Sequence, residues 1–221
     1  MIIDGVSILT LIAAKSEYGT AMKAVIPDAE IIGVGPVEAA FNTTKILMDK
    51  KQQKTLPDII FSIGTAGSST LNQADLYQIS SVSYRDMNAS AFGFEKGVTP
   101  WVDYPAMFAL PILFDDVPTA SLSTGGAVID KQGSAGVTFD DIQADCVDME
   151  TYSIARVGYD FKIPLIGLRG ISDGKEDSSG VQTWEQYLVT IDKKIANFYK
   201  RVLTETASLM RIISEEKKSL Y

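Results

Sequence analysis

Two acids bracket a methionine in Val147-Asp148-Met149-Glu150-Thr151, directly before a helical pattern. Ser172-Asp173 puts another acid after an apolar run, and Glu17 follows the first such run of the chain. The chain contains no histidine and a single cysteine, Cys146. These counts remove every histidine general base, the common zinc and haem ligand sets and any internal disulfide. Acid–base work near neutral pH therefore falls to carboxylates, Lys or Tyr with shifted pKa values, and Asp173, Glu150 and Glu17 form a coherent set. The plainer role for Asp148 is a helix cap, and for Glu150 a favourable charge in the first helical turn. Neither role accounts for Asp173, which stands where the chain is expected to turn under Gly174.

Glycine-rich segments add less. Gly64-Thr65-Ala66-Gly67 sets two glycines and a small hydroxyl where a strand is expected to turn, which lets backbone N–H groups and Thr65 approach a ligand; a tight turn that merely needs glycine explains it equally well. Gly33-Val34-Gly35 lacks the third glycine of a dinucleotide fingerprint, so no NAD, and no other cofactor, is expected. A net charge of −8 argues against a nucleic-acid backbone as partner and suits a small neutral or cationic ligand.

The elements that must position these residues follow from the apolar pattern. Runs at residues 6–14, 29–34, 58–63, 77–83, 119–124 and 163–170 read as strands, the first covered on both faces. Helical patterns occupy residues 36–51, with a proline at an early position, 149–161, and one long stretch over 181–217. Alternating strands and helices give an α/β fold, in which ligands collect beyond the carboxyl ends of strands. With 46% hydrophobic and 22% charged residues over 221 positions, the chain can bury a core, and no run approaches the roughly 18 apolar residues that cross a bilayer, so no membrane partner is expected. Asp4 stands where a signal peptide would carry basic residues, so a cytoplasmic protein is expected.

Taken in order, Gly33-Val34-Gly35-Pro36, Gly64-Thr65-Ala66-Gly67, Ala91-Phe92-Gly93-Phe94-Glu95-Lys96-Gly97, Val147-Asp148-Met149-Glu150 and Ile171-Ser172-Asp173 resemble the nucleoside phosphorylase superfamily, and most closely its bacterial 5′-methylthioadenosine/S-adenosylhomocysteine nucleosidases. The resemblance runs from about Leu9 to about Leu188. It implies one domain over residues 1–221, a three-layer αβα sandwich around a central mixed, largely parallel twisted sheet. It also implies that Asp173 protonates purine N7, that Glu150 holds the ribose hydroxyls with Met149 beside the sugar, and that Glu17, or a residue next to it, activates water. Ser172 matches the serine beside the acid, and Thr65 and Gly67 match a small hydroxyl and a glycine near the nucleophile. The backbone of Ala127, Val128 and Ile129 matches the segment that reads the base, and Trp184 an aromatic over the ligand. Phe92 and Pro100 match residues that a neighbouring subunit contributes, which implies a homodimer. Two departures stand out: Ala13-Ala14-Lys15-Ser16-Glu17-Tyr18 replaces the family's methionine and run of acids, and Val128 replaces an aromatic.

The nucleophile can be argued from charge. Phosphorolysis needs a dianion site, and the position two before Gly64, where related phosphorylases keep an arginine, is Ser62. With Glu17 nearby, water is the expected nucleophile and a small purine nucleoside the expected partner. The rival readings are another purine nucleosidase, for aminodeoxyfutalosine or AMP, a purine nucleoside phosphorylase, and a nucleoside-binding module without activity.

Overall fold

A computed structural model describes residues 1–130, 133, 136–174 and 181–219, without the side chains of 174, 181–186 and 216–219. In chain order the elements are β1 (Ile2–Ile3), β2 (Val6–Ile12), α1 (Thr20–Val25), β3 (Glu30–Ile31), α2 (Pro36–Gln52), β4 (Ile59–Ser68), β5 (Leu76–Tyr84), β6 (Met107–Ala109) and β7 (Thr119–Thr124). There follow β8 (Cys146–Asp148), α3 (Thr151–Phe161), β9 (Leu165–Gly174), α4 (Val181–Thr204) and α5 (Thr206–Ser219). This is the expected α/β architecture with a mixed sheet.

The apolar runs form strands because both of their faces find a core. Along β2 and β4, Leu9, Leu11 and Ile60 enter one apolar cluster, shared with Leu47 of α2 and Ile154 of α3. Ile8, Ile12, Ile59, Phe61 and Ile63 point the other way, into a cluster with Met22 of α1, Ile195 and Tyr199 of α4 and Leu209 of α5. Side chains alternate across a strand, so continuous hydrophobicity in sequence becomes two buried layers in space. Parallel pairings join β2 to β4, β4 to β9, β5 to β7 and β7 to β8; β5 runs antiparallel to β9. The sheet then curls, since β8 also meets β4, antiparallel, at Val147 and Gly67. Strands β4, β9, β5, β7 and β8 thus pair in a ring.

Two expected elements differ. The run at 29–34 yields a strand of only two residues, Glu30–Ile31, because Gly33 and Gly35 adopt φ of 87° and 97° and leave the extended region. The helix expected over 181–217 divides at Glu205 into α4 and α5. The break lets Leu209, Ile212 and Ile213 fold back onto the same core as Val202, and Thr206 is held by a 2.9 Å bond from its hydroxyl to Asp4.

Helix α1 is too short to stabilise itself, and its first turn is capped from across the fold. Asp192 of α4 is buried and accepts the Ala21 and Met22 amides, each at 2.9 Å. Gly19 precedes this turn, and a Cβ there would run into the Asp192 carboxylate. Asp192→Ala is expected to lower stability by about 1–2 kcal/mol, the usual value of a lost helix cap, with Gly19→Ala destabilising in the same direction; urea unfolding midpoints of the two variants measure both.

Candidate active site

The carboxylates gather where β4 and β9 lie side by side. Against expectation, Gly64-Thr65-Ala66-Gly67 is no turn: β4 continues through it to Ser68, paired with β9 as far as Gly174. The glycines serve another purpose, which is room. A Cβ on Gly64 would lie 3.2 Å from Oε1 of Glu17, and one on Gly67 would lie 2.9 Å from Oδ2 of Asp173. Each glycine seats an acid from elsewhere in the chain.

Glu17 ends a short 3₁₀ turn, Lys15–Glu17, after β2. Its Oε1 accepts both the Thr65 amide, at 2.8 Å, and the Thr65 hydroxyl, at 2.5 Å. Glu150 is buried at the start of α3, and its Oε1 accepts the Gly35 amide at 2.8 Å. The Gly33-to-Pro36 segment is therefore tied to Glu150 through its backbone. Burial, reinforced by the negative charge of Asp148, pushes the Glu150 carboxyl up to about 7, against the opposing pull of the Gly35 amide and Arg169. Glu17, Glu150, Thr65, Ser62 and Arg169 line one pocket.

Asp173 sits further along the same strand pair and is not among that pocket's lining residues. It too lies inside a strand rather than in a turn. The β4–β9 register slips here, Ala66 facing Ile171 but Gly67 facing Asp173, so Ser172 is the extra residue of a bulge, a device that re-aims the next side chain. Ser172 donates to Oδ1 of Asp173 at 2.6 Å. Burial raises the Asp173 pKa from the ordinary carboxylate value, and the Ser172 bond partly offsets it.

Beneath the acids lies a group that composition alone did not point to. Arg169 of β9 and Asp148 of β8 form an ion pair at 2.9 Å with side chains only 3% and 1% exposed. The guanidinium also donates to the Ser62 carbonyl and hydroxyl, to the Leu168 carbonyl and to the Thr151 hydroxyl. Asp148 accepts the Thr124 hydroxyl at 2.6 Å and the Thr151 amide at 3.0 Å, so the cap expected of it exists and forms part of a larger network. Ser62, where the sequence lacks an arginine, thus has one beside it from another strand. An arginine inside the apolar run at 163–170 was the available signal, since a buried guanidinium requires a buried acid.

The remaining expected residues are dispersed. Beyond β7, Ala127 is half-buried, Val128 exposed and Ile129 buried. Met149 is half-buried between Asp148 and Glu150. Phe92 and Pro100 lie on the connection from β5 to β6, Phe92 in a 3₁₀ turn and exposed, Pro100 half-buried. The side chain of Trp184 lies outside the described residues.

Comparison with known proteins identifies the family and the fold. The sequence model of the Phosphorylase superfamily matches residues 29–204. A 5′-methylthioadenosine/S-adenosylhomocysteine nucleosidase of Haemophilus influenzae (strain 86-028NP) is 31% identical over 171 residues, covering 71% of each chain. The protein of the same name from Bacillus licheniformis is 29% identical over 189 residues, covering 77% of this chain and 78% of its own. Among solved structures, a Colwellia psychrerythraea nucleosidase of this kind in complex with adenine superposes with a TM-score of 0.69 at 24% identity, over 90% of this chain and 97% of that one. The futalosine hydrolase of Helicobacter pylori gives 0.73 at 19%, over 90% and 97%. The chain belongs to the phosphorylase superfamily, and within it to the family of the 5′-methylthioadenosine/S-adenosylhomocysteine nucleosidases.

Proposed function

We propose that this protein hydrolyses the N-glycosidic bond of 5′-methylthioadenosine and S-adenosylhomocysteine, releasing adenine and the 5′-thioribose. The observation that carries the choice of water over phosphate is the pocket that Glu17 and Glu150 share with Arg169. Two carboxyl groups face the space, and every N–H of the one guanidinium beside it is engaged by Asp148, Ser62, Leu168 or Thr151. An incoming dianion would meet negative charge and no available fork of donors.

Breaking the bond builds positive charge on the ribose and negative charge on the departing purine. In this reading Asp173, whose pKa is raised by burial over Gly67, gives its proton to purine N7, and Ser172 orients the carboxyl group. Glu17, fixed at one oxygen by Thr65, uses the other to take the proton of the attacking water. Glu150 binds the ribose hydroxyls; one of its oxygens is held by Gly35, and its pKa of about 7 lets it donate to or accept from a hydroxyl near neutrality. Met149 packs beside the sugar, Thr65 and Gly67 border the reacting atoms, the backbone of Ala127, Val128 and Ile129 contacts the base, and Trp184 covers the ligand. The whole chain works as one unit, in the cytoplasm, where the free Cys146 stays reduced. The likeness to futalosine hydrolase favours aminodeoxyfutalosine as the second candidate substrate.

We further propose a homodimer in which Phe92 and Pro100 complete the partner's site. Phe92 is 78% exposed and Trp101 87%, and on α2 Val37 and Phe41 are exposed as well. Phe108 of β6, the strand that follows the loop of Phe92 and Trp101, packs on Tyr152 and Tyr159 of α3, and α2 packs along α3. Large apolar side chains left open on one protomer are the material of a subunit interface.

Adenine release from 5′-methylthioadenosine should proceed unchanged without phosphate and yield methylthioribose; strict dependence on phosphate, or a 1-phosphate product, would remove the hydrolase reading, and running aminodeoxyfutalosine alongside ranks the two substrates. Asp173→Asn should lose roughly two to four decades of turnover, the usual contribution of a general acid, with circular dichroism unchanged. Light scattering at micromolar concentration should report a dimer, and Phe92→Ala should weaken 5′-methylthioadenosine binding; a fully active monomer would show that the loop serves only its own subunit.

A further inference from the structure

After β5 the chain turns through Arg85 and Asp86, and both side chains are laid on the segment that follows β7. Arg85 donates through Nη1 to the carbonyls of Ser123 and Asp148, at 2.5 and 3.0 Å, and through Nη2 to the carbonyl of Ala127, at 2.7 Å. Asp86 accepts the Gly126 amide at 2.5 Å. Among the described residues none of Arg85's hydrogen bonds goes to a carboxylate, so a half-buried guanidinium is hydrogen-bonded to main-chain oxygens. Gly125 records how tightly the pair is seated, because a Cβ there would collide with both the guanidinium and the Asp86 carboxylate.

The result is a loop whose backbone is fixed on one side and open on the other. The Gly126 amide and the Ala127 carbonyl are occupied, whereas among the described residues the amides and carbonyls of Val128 and Ile129 make no hydrogen bond. A purine presents its identity as a donor–acceptor pattern. Adenine carries an amino donor at C6 beside a bare N1, while hypoxanthine carries a carbonyl at C6 beside an N1–H. A backbone N–H and C=O pair held in one orientation matches only one of these edges, and a segment free to rotate its peptide planes matches either.

We propose that Arg85 and Asp86 are positioning residues for base selection, clamping the backbone around Gly125 so that the Val128 and Ile129 main chain accepts the adenine edge and refuses the hypoxanthine edge. The proposal rests on the purine nucleosidase reading above. It assigns selectivity to a guanidinium that need not touch the substrate.

The test compares kcat and KM for 5′-methylthioadenosine and 5′-methylthioinosine in the wild type, Arg85→Met, Arg85→Lys and Asp86→Asn. Arg85→Met should raise KM for 5′-methylthioadenosine about tenfold with kcat changed less than about threefold, and should narrow the preference over the inosine analogue by about tenfold, the scale of a lost hydrogen-bonded constraint. Arg85→Lys should recover part of that preference, and Asp86→Asn should narrow it by about threefold, on the same scale. If Arg85→Met fails to fold, Asp86→Asn carries the test, since its side chain is exposed. An unchanged preference in the folded variants, or a loss confined to kcat, overturns the proposal. A wild type that cleaves neither nucleoside overturns the parent reading and this inference with it, and is recognised before any variant is made.

Discussion

A buried arginine–aspartate pair holds the site together. Arg169 and Asp148 are expensive to desolvate, and their attraction offsets that cost only because further bonds complete both shells, from Ser62, Leu168 and Thr151 on one side and Thr124 and Thr151 on the other. Those partners belong to β4, β7, β9 and the start of α3. Removing either charge would leave the other buried and alone, at a cost of about 3–5 kcal/mol. The pair therefore fixes the spacing of the elements that bear Thr65, Glu150 and Asp173, and a displacement in one strand is transmitted to the others. The positive charge of Arg169 and the negative charge of Asp148 both act on the Glu150 carboxyl group.

The three acids differ in their surroundings as their proposed tasks require. Burial raises the pKa of Asp173, and one serine hydroxyl partly offsets the rise. Glu17 accepts two bonds from Thr65 on a single oxygen. Glu150, buried and with one amide bond, is pushed up to about 7. In a chain without histidine, the ordinary balance of desolvation and hydrogen bonding thus raises the pKa of both Asp173 and Glu150.

How much of this was legible in the sequence follows from the range of the interactions. The strands at 6–14, 58–63 and 163–170 could be read because two-sided burial imprints a continuous apolar run, and Asp173, Glu150 and Glu17 stood out as acids adjoining such runs. The glycines at 64 and 67 were visible, but their purpose was not. Their neighbours are carboxylates from distant positions, and local turn chemistry was the only rule available. Arg169 reaches Ser62 across 107 positions, and Arg85 reaches Ala127 across 42; nothing in the local pattern marks such partners. Strand β8 has three residues, too few for any periodicity. The continuous helical pattern over 181–217 concealed the break at Glu205, because the apolar residues on both sides of it serve one core.

The curled sheet has a consequence for how copies of this protein can associate. Its five central strands pair with one another in a circuit, β2 joins that circuit at β4, and among the described residues the strands at the margins are β1 and β3, of two residues each and both paired to β2, and β6, of three. Exposed strand edges are where sheets recruit further strands and where edge-to-edge aggregation begins, and very short margins are a recognised protection. Little unpaired main chain is left for a second molecule to extend. Any contact between copies would therefore draw on side-chain surfaces, such as the exposed apolar residues of α2 and the β5–β6 connection, which are separate from the strand margins on which fibril growth depends.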